Sequence, residues 1–224
     1  MEATAVPRVK VCCISSAEEA RAAIRRGASA LGLVSEMPSG PGVISEELIA
    51  EIAAATPPAV STFLLTSRQD ARAIVEQHRR CRTSTIQICD RLERGSYEEL
   101  RAALPGIKLV QVVHVTGEES VEEALGAASR ADAILLDSGN QLLEVKELGG
   151  TGRVHDWALS RKIREEVGVP VFLAGGLNPG NIAEAIRQVG PFGVDLCSGV
   201  RADGRLDEVK LSAFFGRMMS QAQS

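Results

Sequence analysis

Two adjacent cysteines, one aspartate and three glycine-rich turns are the residues here whose types and positions suit chemistry. Cys12 and Cys13 close the apolar run RVKVCCI (8–14), and a strand points successive side chains to opposite faces. One of them is expected to look into a site and the other toward a helix layer. The inward thiol would serve as base or nucleophile if its thiolate is stabilised, and the outward one as a small core residue. Asp137 ends the run AILLD after four apolar residues. Burial there can lift a carboxyl group into the pKa range of a general acid. A helix cap or a salt bridge is the competing role, and the residue alone leaves the two level. The glycine turns are GGTG (149–152), AGGL (174–177) and CSGV (197–200). The second runs into NPGNI, where Asn178 is expected to cap a helix with Pro179 at its first position. Bare backbone N–H groups beside a helix N-terminus make an anion site. A single glycine pair need only permit a tight turn; two such turns on the last two strands favour phosphate.

Stepping along the chain, short apolar runs alternate with amphipathic segments. The strands are expected at 8–14, 30–35, 59–66, 85–89, 109–115, 133–137, 169–175 and 193–199, apolar on both parities as doubly buried strands must be. A helix follows each; SSAEEARAAIRRG shows the pattern, with a Ser cap, Glu in the first turn and a terminal Gly27. Eight βα units require right-handed crossovers and a parallel sheet, and at this length they favour a closed (β/α)8 TIM barrel spanning 1–224 as one domain. An open doubly wound sheet is the alternative. Two loops are long, 36–45 and 138–154, and long loops usually cover or build a site. Closure makes the first and eighth strands neighbours. Lys10 and Asp195 share parity with Cys12 and Cys197, so both should point inward and form a buried pair.

Composition narrows the functional classes. In 224 residues with a formal net charge of −4 and 3% aromatic residues there is neither a basic footprint nor a stacking platform, which excludes a nucleic-acid binder. No run approaches a membrane span and the N-terminus lacks signal-peptide character, so a cytoplasmic location is expected. Five cysteines without framework spacing suit reduced thiols. Cys89, His114 and Cys197 lie near strand ends, but no CxxC or HxxxH spacing supports a metal. His78 and His155 are expected as surface and capping residues. Phe214, Phe215, Met218 and Met219 on the last helix are expected to pack on the barrel in preference to forming a dimer patch; monomer and homodimer both remain open.

These residues resemble the phosphoribosylanthranilate isomerase family of tryptophan biosynthesis. ADAILLDS, GGTGRVHDW, VPVFLAGGLNPGNIAEAI and GVDLCSGV stand in that family's order and spacing, and KVCCIS is similar to its opening strand. The resemblance implies a cofactor-free (β/α)8 barrel acting on a small phosphorylated substrate. The reaction is an Amadori rearrangement of N-(5′-phosphoribosyl)anthranilate to the 1-deoxyribulose product. By position, Asp137 would protonate the ring oxygen and Cys12 would remove the C2′ proton. The phosphate would rest on Gly150, Gly152, Gly175, Gly176, Ser198 and Gly199.

The departures are local. Gly42 stands where the family carries the arginine that holds the anthranilate carboxylate. Cys89 and Asp90 replace His-Gly, Cys13 replaces a glycine, and Arg201 replaces a glutamate. Losing a bidentate arginine costs more than tenfold in affinity or rate; Arg201 or Arg153 is expected to compensate. Two competing readings keep part of the site: a paralogous phosphosugar isomerase with another aglycone, and a non-catalytic barrel that binds phosphate ligands.

Overall fold

A computed structural model describes residues 6–141 and 143–221. Eight parallel strands close on themselves in sequence order. They are β1 Arg8–Val11, β2 Ala30–Val34, β3 Ser61–Thr66, β4 Thr85–Ile88, β5 Lys108–His114, β6 Ala133–Asp137, β7 Val171–Leu173 and β8 Gly193–Leu196. Eight helices surround them: α1 Ala17–Arg25, α2 Glu46–Ala55, α3 Ala71–Cys81, α4 Tyr97–Ala103, α5 Glu119–Ala128, α6 Trp157–Glu166, α7 Ile182–Val189 and α8 Glu208–Gln221. The expected (β/α)8 barrel is the observed one, and the open sheet is excluded by the β1–β8 pairing, Lys10↔Asp195 and Val11↔Leu196.

Strand periodicity sorts the core into two layers. Val9, Val11, Leu31, Leu33 and Leu64 pack outward with helix residues such as Ile49, Ile163 and Phe214. The alternate positions, including Ala30, Phe63, Leu65, Val112, Leu135 and Phe172, form a second cluster inside the barrel. Polar side chains set the helix starts. Ser16 accepts from the Glu19 N–H at 3.2 Å, and Ser45, Asp70, Ser96 and Asp156 cap α2, α3, α4 and α6 in the same way.

Several local expectations need correction. Asn178 does not cap α7, which begins at Ile182 after Asn181. Asn178 instead folds its own turn, accepting from the Gly180 N–H, while Asn181 accepts from the Asn178 N–H. His78 is buried and bonded to the Thr83 carbonyl at 2.7 Å, because the chain leaves α3 through a left-handed Arg82 and folds back beneath it. His155 is half-buried, with Nε2 2.7 Å from Ser160 Oγ; the cap of α6 is Asp156. Phe214 and Met218 are buried in the barrel's outer layer, whereas Met219 is exposed. Ser198–Val200 is a turn of 3-10 helix, followed by a small hairpin of β9 (Arg201–Ala202) and β10 (Arg205–Leu206) ahead of α8. Among the described residues, no helix is long and apolar enough to cross a membrane.

Candidate active site

A cavity opens at the C-terminal ends of the strands, where a barrel places its site. Cys12, Asp137 and the glycine turns all line it. Cys12 follows β1 and is held by its N–H to the Leu196 carbonyl at 2.7 Å. Room for its sulfur comes from Gly32, where an added Cβ would sit 2.8 Å from Cys12 Sγ and 3.1 Å from Lys10 Nζ. Asp137, at the end of β6, is buried. Its Oδ1 accepts from the Ser138 N–H at 2.7 Å, and its Oδ2 faces Gly149 across the long β6–α6 loop. β7 and β8 separate β6 from β1 on that side of the barrel, so carboxyl and thiol enter the cavity from well-separated strands.

Beneath the cavity lies the expected pair. Lys10 Nζ and Asp195 Oδ2 are 2.7 Å apart, with the Lys10 side chain wholly excluded from solvent. Burial alone would lower the Lys10 pKa, but the Asp195 carboxylate more than reverses this and holds it above the ordinary lysine value. The ammonium also lies 5.4 Å from the centre of the Phe63 ring.

The two cysteines do not split between faces as strand alternation suggests. β1 stops at Val11, and Cys13 takes a left-handed backbone with φ 60°, so both cysteines line the cavity. Alternation holds only while the chain stays extended.

The glycine turns converge on one side. Gly150, Gly152, Gly175, Gly176 and Ser198 line the cavity. Among the described residues, the N–H groups of the first four donate to no protein acceptor, which leaves oriented donors for an anion. Gly176, with φ 62°, lies so close to the Gly152–Arg153 backbone that a Cβ would meet the Gly152 carbonyl at 2.9 Å. Gly199 stands apart from the cavity lining; a Cβ there would collide with the Leu177 carbonyl, so it permits close packing behind the turn.

Opposite the glycines the wall is apolar. Val34, Met37, Leu65 and Leu148 form it together with Gln87 and Cys89. Gln87 Oε1 is buried without a partner. The inward parity of β3 could have revealed Leu65; Met37 and Leu148 lie on loops and carry no periodic signal. The two long loops meet over this wall, where Ser39 Oγ donates to the Lys146 carbonyl at 2.7 Å. Asp90, beyond β4, holds the second of them, accepting from Lys146 Nζ at 2.6 Å.

Neither compensating arginine lines the cavity. Arg201 is committed elsewhere: it pairs with Glu19 at 2.9 Å and donates to the carbonyls of Gly204 and Cys13. Arg153 is exposed and pairs with Glu147.

Known proteins are similar to this chain along nearly its whole length. The sequence profile of the N-(5′-phosphoribosyl)anthranilate isomerase family matches residues 9–217. A Methanosarcina mazei protein named N-(5′-phosphoribosyl)anthranilate isomerase 2 is 38% identical, over 94% of this chain and 93% of its own length. The crystal structure of phosphoribosyl anthranilate isomerase from Thermotoga maritima superposes with a TM-score of 0.79 at 29% identity, covering 96% of this chain and 99% of that one. A crystal structure of phosphoribosyl anthranilate isomerase in complex with reduced 1-(o-carboxyphenylamino)-1-deoxyribulose 5-phosphate gives a TM-score of 0.76 at 28% identity with the same coverage. With the profile running from the first strand into the last helix, and relatives matched along nearly their whole length, this chain belongs to the N-(5′-phosphoribosyl)anthranilate isomerase family.

Proposed function

We propose that the protein converts N-(5′-phosphoribosyl)anthranilate to 1-(o-carboxyphenylamino)-1-deoxyribulose 5-phosphate. The observation that carries this reading is the convergence of Cys12, Asp137 and the unpaired glycine N–H groups on one cavity. The phosphate rests on Gly150, Gly152, Gly175, Gly176 and Ser198, with Gly199 shaping the turn behind them. That anchor places the ribose between the acid and the base. Asp137 gives its proton to the ring oxygen as the C1′–O bond breaks, leaving a Schiff base. Cys12, as thiolate, takes the C2′ proton; the resulting enolamine returns a proton to carbon and becomes the ketone. The aryl group lies against Val34, Met37, Leu65 and Leu148.

A second reading draws on the substrate carboxylate. Gly42 supplies no guanidinium, and Arg201 is bound to Glu19. Of the two arginines Arg153 has the more exposed side chain, and its partner is Glu147. A paralogous isomerase with an uncharged aglycone would need no such contact.

The deciding experiment follows the fall in substrate fluorescence with the wild-type protein, Cys12→Ala and Asp137→Asn. Turnover that both substitutions reduce at least a thousandfold is expected. Absence of wild-type turnover, with inorganic phosphate still bound, would move the assignment to another aglycone.

A further inference from the structure

Three thiols in the cavity, those of Cys13, Cys89 and Cys197, have no part in the proposed acid–base chemistry, and two of them meet. Cys13 follows β1 and Cys197 follows β8, just beyond the paired residues Val11 and Leu196. Their sulfurs are 2.8 Å apart, closer than unbonded sulfurs ordinarily pack. The left-handed backbone of Cys13 produces this approach by turning its side chain into the mouth. Among the described residues the chain's other cysteines are free thiols as well.

The pair is asymmetric. Cys197 is partly exposed, while Cys13 is buried. The hydrogen bond from Cys13 lowers the Cys197 pKa; burial opposes it, and the Arg201 guanidinium adds to the lowering. Hydrogen bonding to Cys12 and Cys197, together with burial, pushes the Cys13 thiol up. The accessible sulfur is thus the one that more readily becomes thiolate, which is the arrangement of an attacking and a resolving cysteine.

We propose that Cys13 and Cys197 are a modification site at which a small-molecule disulfide installs a reversible intramolecular disulfide that closes down the cavity. The Cys197 thiolate attacks one sulfur of the incoming disulfide and expels the other as thiolate, leaving a mixed disulfide. Cys13 loses its proton, attacks Cys197 Sγ and expels the second small thiol. Two protein thiols are oxidised by two electrons, the small disulfide is reduced to two thiols, and the protons pass to them. A disulfide of about 2.05 Å asks the sulfurs to close by less than ~1 Å. The bond joins the residue after Cys12 to the residue before Ser198, pulling the proposed base and the phosphate turn out of their reduced positions. This effect on turnover rests on the proposed function; formation of the bond does not.

The full-length reduced protein is incubated with oxidised glutathione, free thiols are trapped by alkylation, and peptides are mapped. Accessible thiols in the denatured sample should fall from five to three, with one cross-linked peptide joining Cys13 to Cys197. Cys13→Gly, which suits the left-handed backbone, should stop at a glutathione adduct on Cys197; Cys197→Ser should leave Cys13 unmodified. Turnover should fall at least tenfold on oxidation and return with dithiothreitol. Five remaining thiols, or a cross-link through another pair, would overturn the site. A mapped bond with unchanged turnover would overturn its effect on the cavity. A mapped bond in a protein with no turnover before oxidation would count against the proposed substrate and leave the dithiol standing.

Discussion

Gly42 lies directly against Cys13: a Cβ on Gly42 would stand 2.5 Å from Cys13 Cβ and 2.8 Å from its Cα. The cysteine fills the space that a side chain at 42 would need. Gly42 also has φ 82°. Gly42→Arg alone should cost about 2–4 kcal/mol through overpacking and backbone strain. Adding Cys13→Gly should recover a substantial part, a coupling that urea unfolding of both single variants and the double variant measures.

Lys10 and Asp195 hold the floor of the cavity as a buried pair. Lys10→Met leaves the carboxylate buried and unpaired, and should cost about 3–5 kcal/mol. Lys10→Met with Asp195→Leu should be more stable than Lys10→Met alone. Equal unfolding midpoints for the two would show that the pair does not matter as a pair.

Glu19 accepts from Arg201 and from the N–H groups of Leu206 and Ser15. Burial raises its pKa, but these bonds more than reverse it, so the carboxyl titrates below its ordinary value. The stabilisation is complete above the unfolded pKa of about 4.3 and is lost as pH falls through the lower folded value. Glu19→Gln should therefore cost about 2 kcal/mol at neutral pH. The gap between wild type and variant should narrow below about pH 4, as followed by urea unfolding across pH.

Gly176→Ala tests the phosphate cradle. Its left-handed backbone and the nearby Gly152 carbonyl leave no relaxed place for a methyl group. Displacement of this turn should weaken inorganic phosphate binding about tenfold, the equivalent of ~1–2 kcal/mol of strain. Calorimetry showing unchanged affinity would remove Gly176 from the cradle.

Much of the barrel was legible in residue order because buried parallel strands are apolar on both parities and their helices carry caps and amphipathic spacing. Period two, combined with closure, was enough to bring Lys10 to Asp195 across 185 positions. It also brought Asp137 and Cys12 to the same mouth, since each sits at a strand's C-terminal end. The rule lapses where the strand stops. Cys13 lies two residues beyond the end of β1, and its left-handed turn places it beside Cys197. Arg201 likewise has a charge suited to a substrate carboxylate, yet Glu19 claims it through a contact between α1 and β9, far apart in the chain. Asn178 and Asn181 are both of a capping residue type, yet neither side chain caps α7, because the path of the chain between β7 and α7 spends both on the turn. Periodicity is a property of extended and helical backbone and can be read from residue types. The mouth is built from turns, whose directions are decided by which distant atoms they meet.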